Sequence, residues 1–324
     1  MNVVGVDVSK QTLDIGVTVS GRGQLKKCEN RKRTFPALLK WAQKASREEH
    51  PTFCLENTGR YGERLADWLF GQGCKVHMVN PVRIKAYARS VNLREKTDES
   101  DALLIGRFAE QNDLEPYTPT PDNQRELHGL NQFRQNLVIQ KTRLSNQLGS
   151  LLDEPYNRSV VRQLKNEVKR ITELIRQVEK EIVAVIAANE GFCKVIQHLL
   201  SIPGIGPVTA PILLEYLLKG FRSGKAMAQH AGLVPVAFRS GTSVRRRDRI
   251  SKISDADLRT ALYMPAVSVI CGNSPFATFY NNLISKGKPR MVALVAVMRK
   301  LLCVAYGIFK HNMSYDPTKV LAHA

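Results

Sequence analysis

An aspartate stands inside the otherwise apolar run Val3-Val4-Gly5-Val6-Asp7-Val8. A short apolar run of this kind reads as a buried strand, and a lone carboxylate in such a strand is costly unless it is paired or bound to a metal. A second run, Thr52-Phe53-Cys54-Leu55-Glu56, also carries an acid, at its end. Asp98 and Asp101 stand three apart in a segment that turns helical, so they share one helix face. If Asp7, Glu56, Asp98 and Asp101 converge, a divalent ion held by oxygen ligands is the natural counter-charge. That arrangement serves phosphodiester cleavage.

The elements around these acids read in a definite order. Residues 3–8 and 12–19 are expected strands separated by Ser9-Lys10-Gln11, and a third strand is expected around Arg33-Thr34-Phe35. Pro36 then opens an amphipathic helix through Leu38, Leu39 and Trp41, as proline does at a first helical position. The strand ending at Glu56 follows. Next comes a helix through Leu65, Trp68 and Leu69, stopped by Gly71 and Gly73, and then a strand over 75–79. Three strands, helix, strand, helix, strand, helix is a mixed α/β layer, and it matches the ribonuclease-H-like arrangement. In that fold a first-strand acid and a fourth-strand acid lie side by side, and the final helix brings the others. Asp14 and Asp113 read as turn or surface acids, Gly21 and Gly23 as a turn, and Trp41 and Trp68 as helical core.

Three domains are expected: α/β over 1–120, a coiled-coil hairpin over 121–191, and a mainly helical domain over 192–324. Leu130, Leu137, Leu144 and Leu151 recur every seven residues, and Leu164, Val168, Ile171, Ile175, Val178, Ile182 and Val185 alternate spacings of four and three. Asp153-Glu154-Pro155-Tyr156-Asn157 breaks the two helices. Leu200-Ser201-Ile202-Pro203-Gly204-Ile205-Gly206 resembles a helix-hairpin-helix turn, in which Gly204 and Gly206 would let backbone amides approach a phosphate. Segments 255–271 and 289–310 read as helices, the latter with Met291, Leu294, Val295, Met298, Leu301, Leu302 and Ala305 as core. His77 and His230 read as structural or exposed.

Charge narrows the partners. The 324 residues hold 48 Lys and Arg against 29 acids, a formal charge of +19, with a pI near 9.8. An excess of that size points to a polyanion bound through counterion release. The six cysteines lie far apart with no Cys-x-x-Cys, which disfavours a zinc site or a disulfide framework. No stretch reads as long enough to span a membrane. The strand pattern begins at once, leaving no room for a signal peptide, so a cytoplasmic, nucleoid-associated protein is expected.

Between Arg239 and Lys252 lie six basic residues, Arg239, Arg245, Arg246, Arg247, Arg249 and Lys252, with one acid, Asp248. Ser240-Gly241-Thr242-Ser243 is embedded among them. Arginines clamp phosphates bidentately, and a serine beside glycine can expose its hydroxyl. The segment is either a nucleophilic serine loop or a phosphate grip whose hydroxyls bond only backbone.

Specific motifs add a resemblance. Gly5-Val6-Asp7-Val8-Ser9-Lys10 with Leu13-Asp14, Leu55-Glu56-Asn57-Thr58-Gly59, Val79-Asn80-Pro81 and Lys96-Thr97-Asp98-x-x-Asp101-Ala102 resemble the DEDD transposases of bacterial insertion sequences. Ile202-Pro203-Gly204-Ile205-Gly206, Ala231-Gly232-Leu233-Val234-Pro235, Ser240-Gly241 and Leu258-Arg259-x-Ala261-Leu262-Tyr263-Met264 continue it. The resemblance implies a RuvC-like nuclease domain, a coiled coil and a C-terminal transposase domain. It also implies that Asp7, Glu56, Asp98 and Asp101 bind Mg2+ or Mn2+ and that Ser240 is the nucleophile. The implied partners are donor and target DNA, a structured noncoding guide RNA and further copies of the chain as dimer or tetramer, with no membrane. Lys96, Gly204, Gly206 and the basic residues of 239–252 are the candidate nucleic-acid contacts. The chain departs from the family pattern at Arg245-Arg246 and at Ile253-Ser254-Asp255. A metal-dependent junction-resolving nuclease using water, and a non-catalytic nucleic-acid scaffold, are the rival readings.

Overall fold

Two β-branched runs pair first. β1 (Val3–Val8) and β2 (Thr12–Val19) form an antiparallel hairpin, and β3 (Arg22–Glu29) continues it. Ser20 and Gly21, both at positive φ (50° and 79°), make the turn into β3, and such turns match the twist of the flanking strands. The third strand is therefore not at 33–35, which falls in a 3-10 turn and the start of α1 (Phe35–Ser46). β3 escaped the apolar pattern because it is an exposed sheet edge.

After α1 come β4 (Thr52–Glu56), α2 (Arg60–Gly71), β5 (Val76–Val79), α3 (Pro81–Ser90) and α4 (Asp98–Gln111). β4 runs parallel to β1, and β5 parallel to β4. The order β3-β2-β1-β4-β5 sets the first strand beside the fourth, as the ribonuclease-H-like reading requires. The computed structural model describes residues 2–57, 59–91, 98–152, 158–236, 239–240, 244–245, 249–250 and 254–318, with backbone alone for 98–100, 236, 239–240, 244–245 and 249. The chain divides into two compact units, Met1–Thr120 and Pro121–Ala324.

The first unit has a core on each sheet face. Val4, Val6, Leu13, Ile15, Phe53 and Leu55 pack against Phe35 and Leu38 of α1 and Leu65 and Leu69 of α2. On the other face Val3, Cys54 and Val79 meet Ile84 of α3 and Leu104, Ile105 and Phe108 of α4. Burial there pushes the Cys54 thiol up to about 12.

Glycines let α4 sit unusually close to the sheet. A Cβ on Gly5 would lie 2.0 Å from the Ala102 carbonyl oxygen and 2.5 Å from the Gly106 nitrogen, and one on Gly106 would lie 2.8 Å from the Val3 oxygen. These neighbours are backbone and cannot rotate away. Gly5→Ala is accordingly expected to cost about 3 kcal/mol or more. Gly71→Ala, with nothing within 4 Å of the added carbon, should be close to neutral. Denaturant midpoints of the two variants test this.

The second unit is helical. α5 (Asp122–Leu151) and α6 (Arg158–Ala187) are 30 residues each. Ile171, Ile175, Val178, Ile182 and Ile186 of α6 are buried in a core shared with Leu127 and Leu137 of α5. That core runs on into α7 (Glu190–Leu200), α8 (Thr209–Leu217), α9 (Gly224–His230), α10 (Ala256–Ile270), α11 (Pro275–Ser285) and α12 (Arg290–His311). The expected break at 153–157 lies outside the described residues. The buried Glu215 carboxylate ties α8 to α5, accepting from His128 Nδ1 at 2.6 Å and Asn131 Nδ2 at 3.1 Å.

Two expectations fail in α12. Met291 is 58% exposed, because the first turn of the helix projects beyond the core it was assigned to. The helix itself, at 22 residues, is long and apolar enough to cross a membrane, contrary to the reading that no stretch is. Its Val297, Leu301, Leu302 and Ala305 are core residues, so packing accounts for the apolarity.

Candidate functional site

Three carboxylates line up across the sheet. Asp7 lies directly opposite Asp14 in the β1–β2 ladder. In the β1–β4 ladder Val6 lies opposite Leu55, so the next residues, Asp7 and Glu56, are lateral neighbours at the strand spacing of about 4.8 Å. Residues two apart share a sheet face, which puts Asp7 with Gly5, Glu56 with Cys54 and Asp14 with Gly16, all on the side covered by α4. Asp7 and Glu56 are half-buried at the C-terminal ends of parallel strands, where open α/β sheets bind ligands.

The glycine contacts fix which end of α4 meets this row. Gly106 sits over Val3 and Gly5, and Ala102 over Gly5, so helix and strand run in opposite directions. Four residues back along a helix is about 6 Å, and two residues on along a strand is about 6.6 Å. The backbone at Asp98 therefore begins level with Asp7, with Asp101 one turn in and half-buried.

Among the described residues no three His, Cys, Asp or Glu side chains stand close enough to form a ready-made metal cage. The Asp98 side chain is outside those residues. The donor set still suits a hard cation, because Mg2+ is commonly held by one or two carboxylates, keeps several waters, and takes further oxygens from a phosphate.

Asp14 is the residue that sequence reasoning misplaced. It is 5% exposed, on β2 rather than in a turn or at the surface, and Lys27 Nζ on the neighbouring strand meets it at 3.1 Å. Burial of the carboxylate is tolerated because that ammonium faces it. The signal was available, since pairing across the 9–11 turn places Asp14 opposite Asp7.

The second candidate centre is a short β segment in the helical unit. β6 (Pro235–Val236) pairs with β9 (Arg249–Ile250), and β7 (Arg239–Ser240) with β8 (Val244–Arg245), Ser240 opposite Val244. Arg239 and Arg245 thus share a ladder with Ser240, and Arg249 lies in the separate β6–β9 ladder. Thr242, Ser243, Arg246, Arg247, Lys252 and, in the first unit, Lys96 lie outside the described residues.

The base of this segment is heavily tied. Asp255 caps α10 by accepting from the Asp257 and Leu258 amides, accepts from the Tyr216 hydroxyl at 2.7 Å, and faces His230 Nε2 at 3.5 Å. Arg259 donates to Ser254 Oγ at 2.8 Å and to the Ala231 carbonyl at 3.1 Å. A Cβ on Gly232, at φ 68°, would lie 2.1 Å from Ser254 Oγ. Gly204, at φ 81°, is likewise explained by packing, since a Cβ there would lie 2.6 Å from Val269 of α10. Among the described residues, nothing comes within 4 Å of a Cβ built on Gly206.

Two family profiles match the chain in order. Residues 4–157 match the IS110-type DEDD transposase domain, and residues 196–281 match the transposase domain of the IS116/IS110/IS902 family. The pilin gene-inverting protein of Moraxella bovis is 32% identical over 97% of each chain. The chain belongs to the IS116/IS110/IS902 transposase family. A probable family 20 transposase of Pseudomonas aeruginosa is 26% identical over 76% of this transposase and 80% of that protein. RuvC of T. thermophilus, solved with a Holliday junction substrate, aligns over 36% of this chain and 99% of its own, at 16% identity and a TM-score of 0.26. The first matched domain of this transposase carries the carboxylate row, and the second carries Ser240.

Asp255 gives a separable test of the serine segment's anchorage. Partial burial works to raise its carboxyl, but bonds from His230, Tyr216 and the Leu258 amide, with Lys219 nearby, outweigh it and hold the group well below the usual carboxylate range. A depressed pKa stabilises the fold above the unfolded value of about 4, and that contribution fades as pH falls below it. Asparagine keeps the helix cap, so Asp255→Asn isolates the charge. A loss of about 1–2 kcal/mol at pH 7, shrinking below pH 4, is expected in denaturant titrations.

Proposed function

We propose that this transposase cuts and rejoins DNA through a covalent serine–DNA intermediate, with Asp7, Glu56, Asp98 and Asp101 holding Mg2+ or Mn2+ and Ser240 as nucleophile. The carrying observation is the carboxylate row on the α4-covered face, with α4 delivering Asp98 to the level of Asp7. When bound, the ion offsets charge on the scissile phosphate and favours ionisation of the attacking hydroxyl. Ser240 Oγ loses its proton and forms a bond to phosphorus, the bond from phosphorus to the 3′ oxygen breaks, and that oxygen is protonated to a 3′ hydroxyl. The phosphoserine ester retains the energy of the broken bond, so rejoining by a 3′ hydroxyl needs no nucleotide triphosphate. Arg239, Arg245, Arg246, Arg247, Arg249 and Lys252 neutralise phosphates beside the serine.

The formal charge of +19 supports a nucleic-acid assembly larger than one DNA site. We assign target choice to a structured noncoding guide RNA, and the long α5–α6 pair to assembly of dimers or tetramers, in which one protomer's acids meet another's serine. Sequencing nucleic acid that copurifies with the protein tests the RNA component. A folded transcript with segments complementary to an insertion site is the expected finding, and copurification of DNA alone would remove the RNA from the account.

A further inference from the structure

A cavity of about 800 Å3 opens in the helical unit between α9, α11, α12 and the segment after α12. That is within the size range of small-molecule sites. Its walls are mainly apolar, yet among the described residues they carry Lys225, Arg299, Lys300 and His311 against a single acid, Asp316. Two wall residues have buried polar atoms without a hydrogen-bond partner among the described residues, Lys300 Nζ and the Tyr315 hydroxyl.

Such atoms are rare in folded proteins, and each needs an explanation. The Lys300 ammonium lies 5.2 Å over the Phe279 ring, which compensates an ammonium only in part. Tyr315 stacks on Phe276 at 6.2 Å, so its ring is fixed while its hydroxyl goes unused. The cations share one cavity with the Cys303 thiol. Burial raises that thiol, while Arg299, Lys225 and Lys300 all act in the opposite direction on it.

An apolar chamber ringed by cations, with a spare donor and a spare hydroxyl, suits a ligand with a flat apolar body, polar edges and an anionic group. We infer that this cavity takes one unpaired nucleotide of the bound nucleic acid. The base would fill the apolar chamber beside Phe279, the Tyr315 hydroxyl would meet a base edge, and Lys225, Arg299 and Lys300 would hold the flanking phosphate. Aromatic contact with a base and cations along its backbone are the two components of single-strand recognition. The assignment rests on the nucleic-acid reading above but is independent of the metal-binding acids.

Gly307 supplies the test, because it lines the cavity and a Cβ added to it meets no atom of the described residues within 4 Å. Gly307→Phe should therefore fill the chamber without disturbing the core, and Lys300→Met removes the unpaired ammonium while keeping its length. The full-length protein would be titrated and photocrosslinked with a short 5′-phosphorylated single strand carrying one 4-thiothymidine (DNA) or 4-thiouridine (RNA). Crosslinks on the peptides holding Phe279 or Tyr315 are expected. A loss of affinity of about tenfold in each variant, with unchanged melting temperature, should accompany loss of those crosslinks. Whichever strand gives the stronger crosslink identifies the source of the nucleotide. Normal binding with crosslinks elsewhere, unaffected by Gly307→Phe, would overturn the cavity assignment and leave the recombinase reading standing. Absence of binding to either strand by the unaltered protein would likewise overturn the cavity assignment, whereas the recombinase reading falls only if the covalent serine–DNA adduct is absent.

Discussion

Asp7→Asn is expected to leave the fold intact and to lower metal-dependent strand cleavage by about a thousandfold or more. The size follows from its place: Asp7 is the central member of the row, opposite Asp14 on one side and beside Glu56 on the other. Losing a single neutral hydrogen-bond donor to a reacting oxyanion typically costs about a hundredfold to a thousandfold, and losing a carboxylate that would hold the metal should cost more. Stability should change little, because Asp7→Asn keeps the side chain's shape and relieves the like charge of Asp14 directly opposite. A variant that loses both activity and stability would instead make Asp7 a structural residue. Glu56→Gln and Asp101→Asn are expected to lose cleavage as well, whereas Asp14→Asn should mainly destabilise, because it breaks the ion pair that the buried carboxylate makes with Lys27.

Ser240→Ala is expected to abolish the covalent protein–DNA adduct altogether, a loss of about ten thousandfold or more, while DNA binding and metal binding persist. The adduct is the discriminating product. A recombinase working through serine yields a strand that stays linked to protein after denaturation, whereas a nuclease that uses water yields free 5′ phosphates. Thr242 and Ser243 are the alternative hydroxyls in the same segment. If the adduct survives Ser240→Ala and disappears in Thr242→Ala or Ser243→Ala, the chemistry stands and the nucleophile is reassigned. If every variant still releases free 5′ phosphates at the unaltered rate, water is the nucleophile and the serine account is wrong.

The parts of this molecule that a sequence reader can see are those where burial writes a period. β1, β2, β4, β5, α1 and α2 were visible because one or both faces are packed, and their apolar residues recur accordingly. β3 was invisible for the same reason inverted: an edge strand in water carries Arg22, Gln24, Lys26 and Lys27, which resembles a loop. Asp14 was misread because a charged residue near a turn ordinarily belongs to the surface, and only the register shows that Lys27 makes its burial tolerable. The approach of α4 was hidden in Gly5, Gly16 and Gly106, which no apolar pattern marks. In the helical unit, α9 and α11 are 7 and 11 residues long, too short to show several turns of periodicity. The serine segment offers no periodicity to read, because its strands are two residues long and its motif rests on residue types.

The carboxylate row beneath α4 is the proposed dication site. Binding of Mn2+ to the full-length protein, followed by electron paramagnetic resonance with and without a cleavable DNA site, measures this most directly. The expected result is a bound-manganese signal that DNA strengthens, Mg2+ displaces, and Asp7→Asn or Glu56→Gln eliminates. Bound manganese that is indifferent to both substitutions, or no binding in the presence of DNA, would contradict the assignment of these carboxylates as the cutting centre.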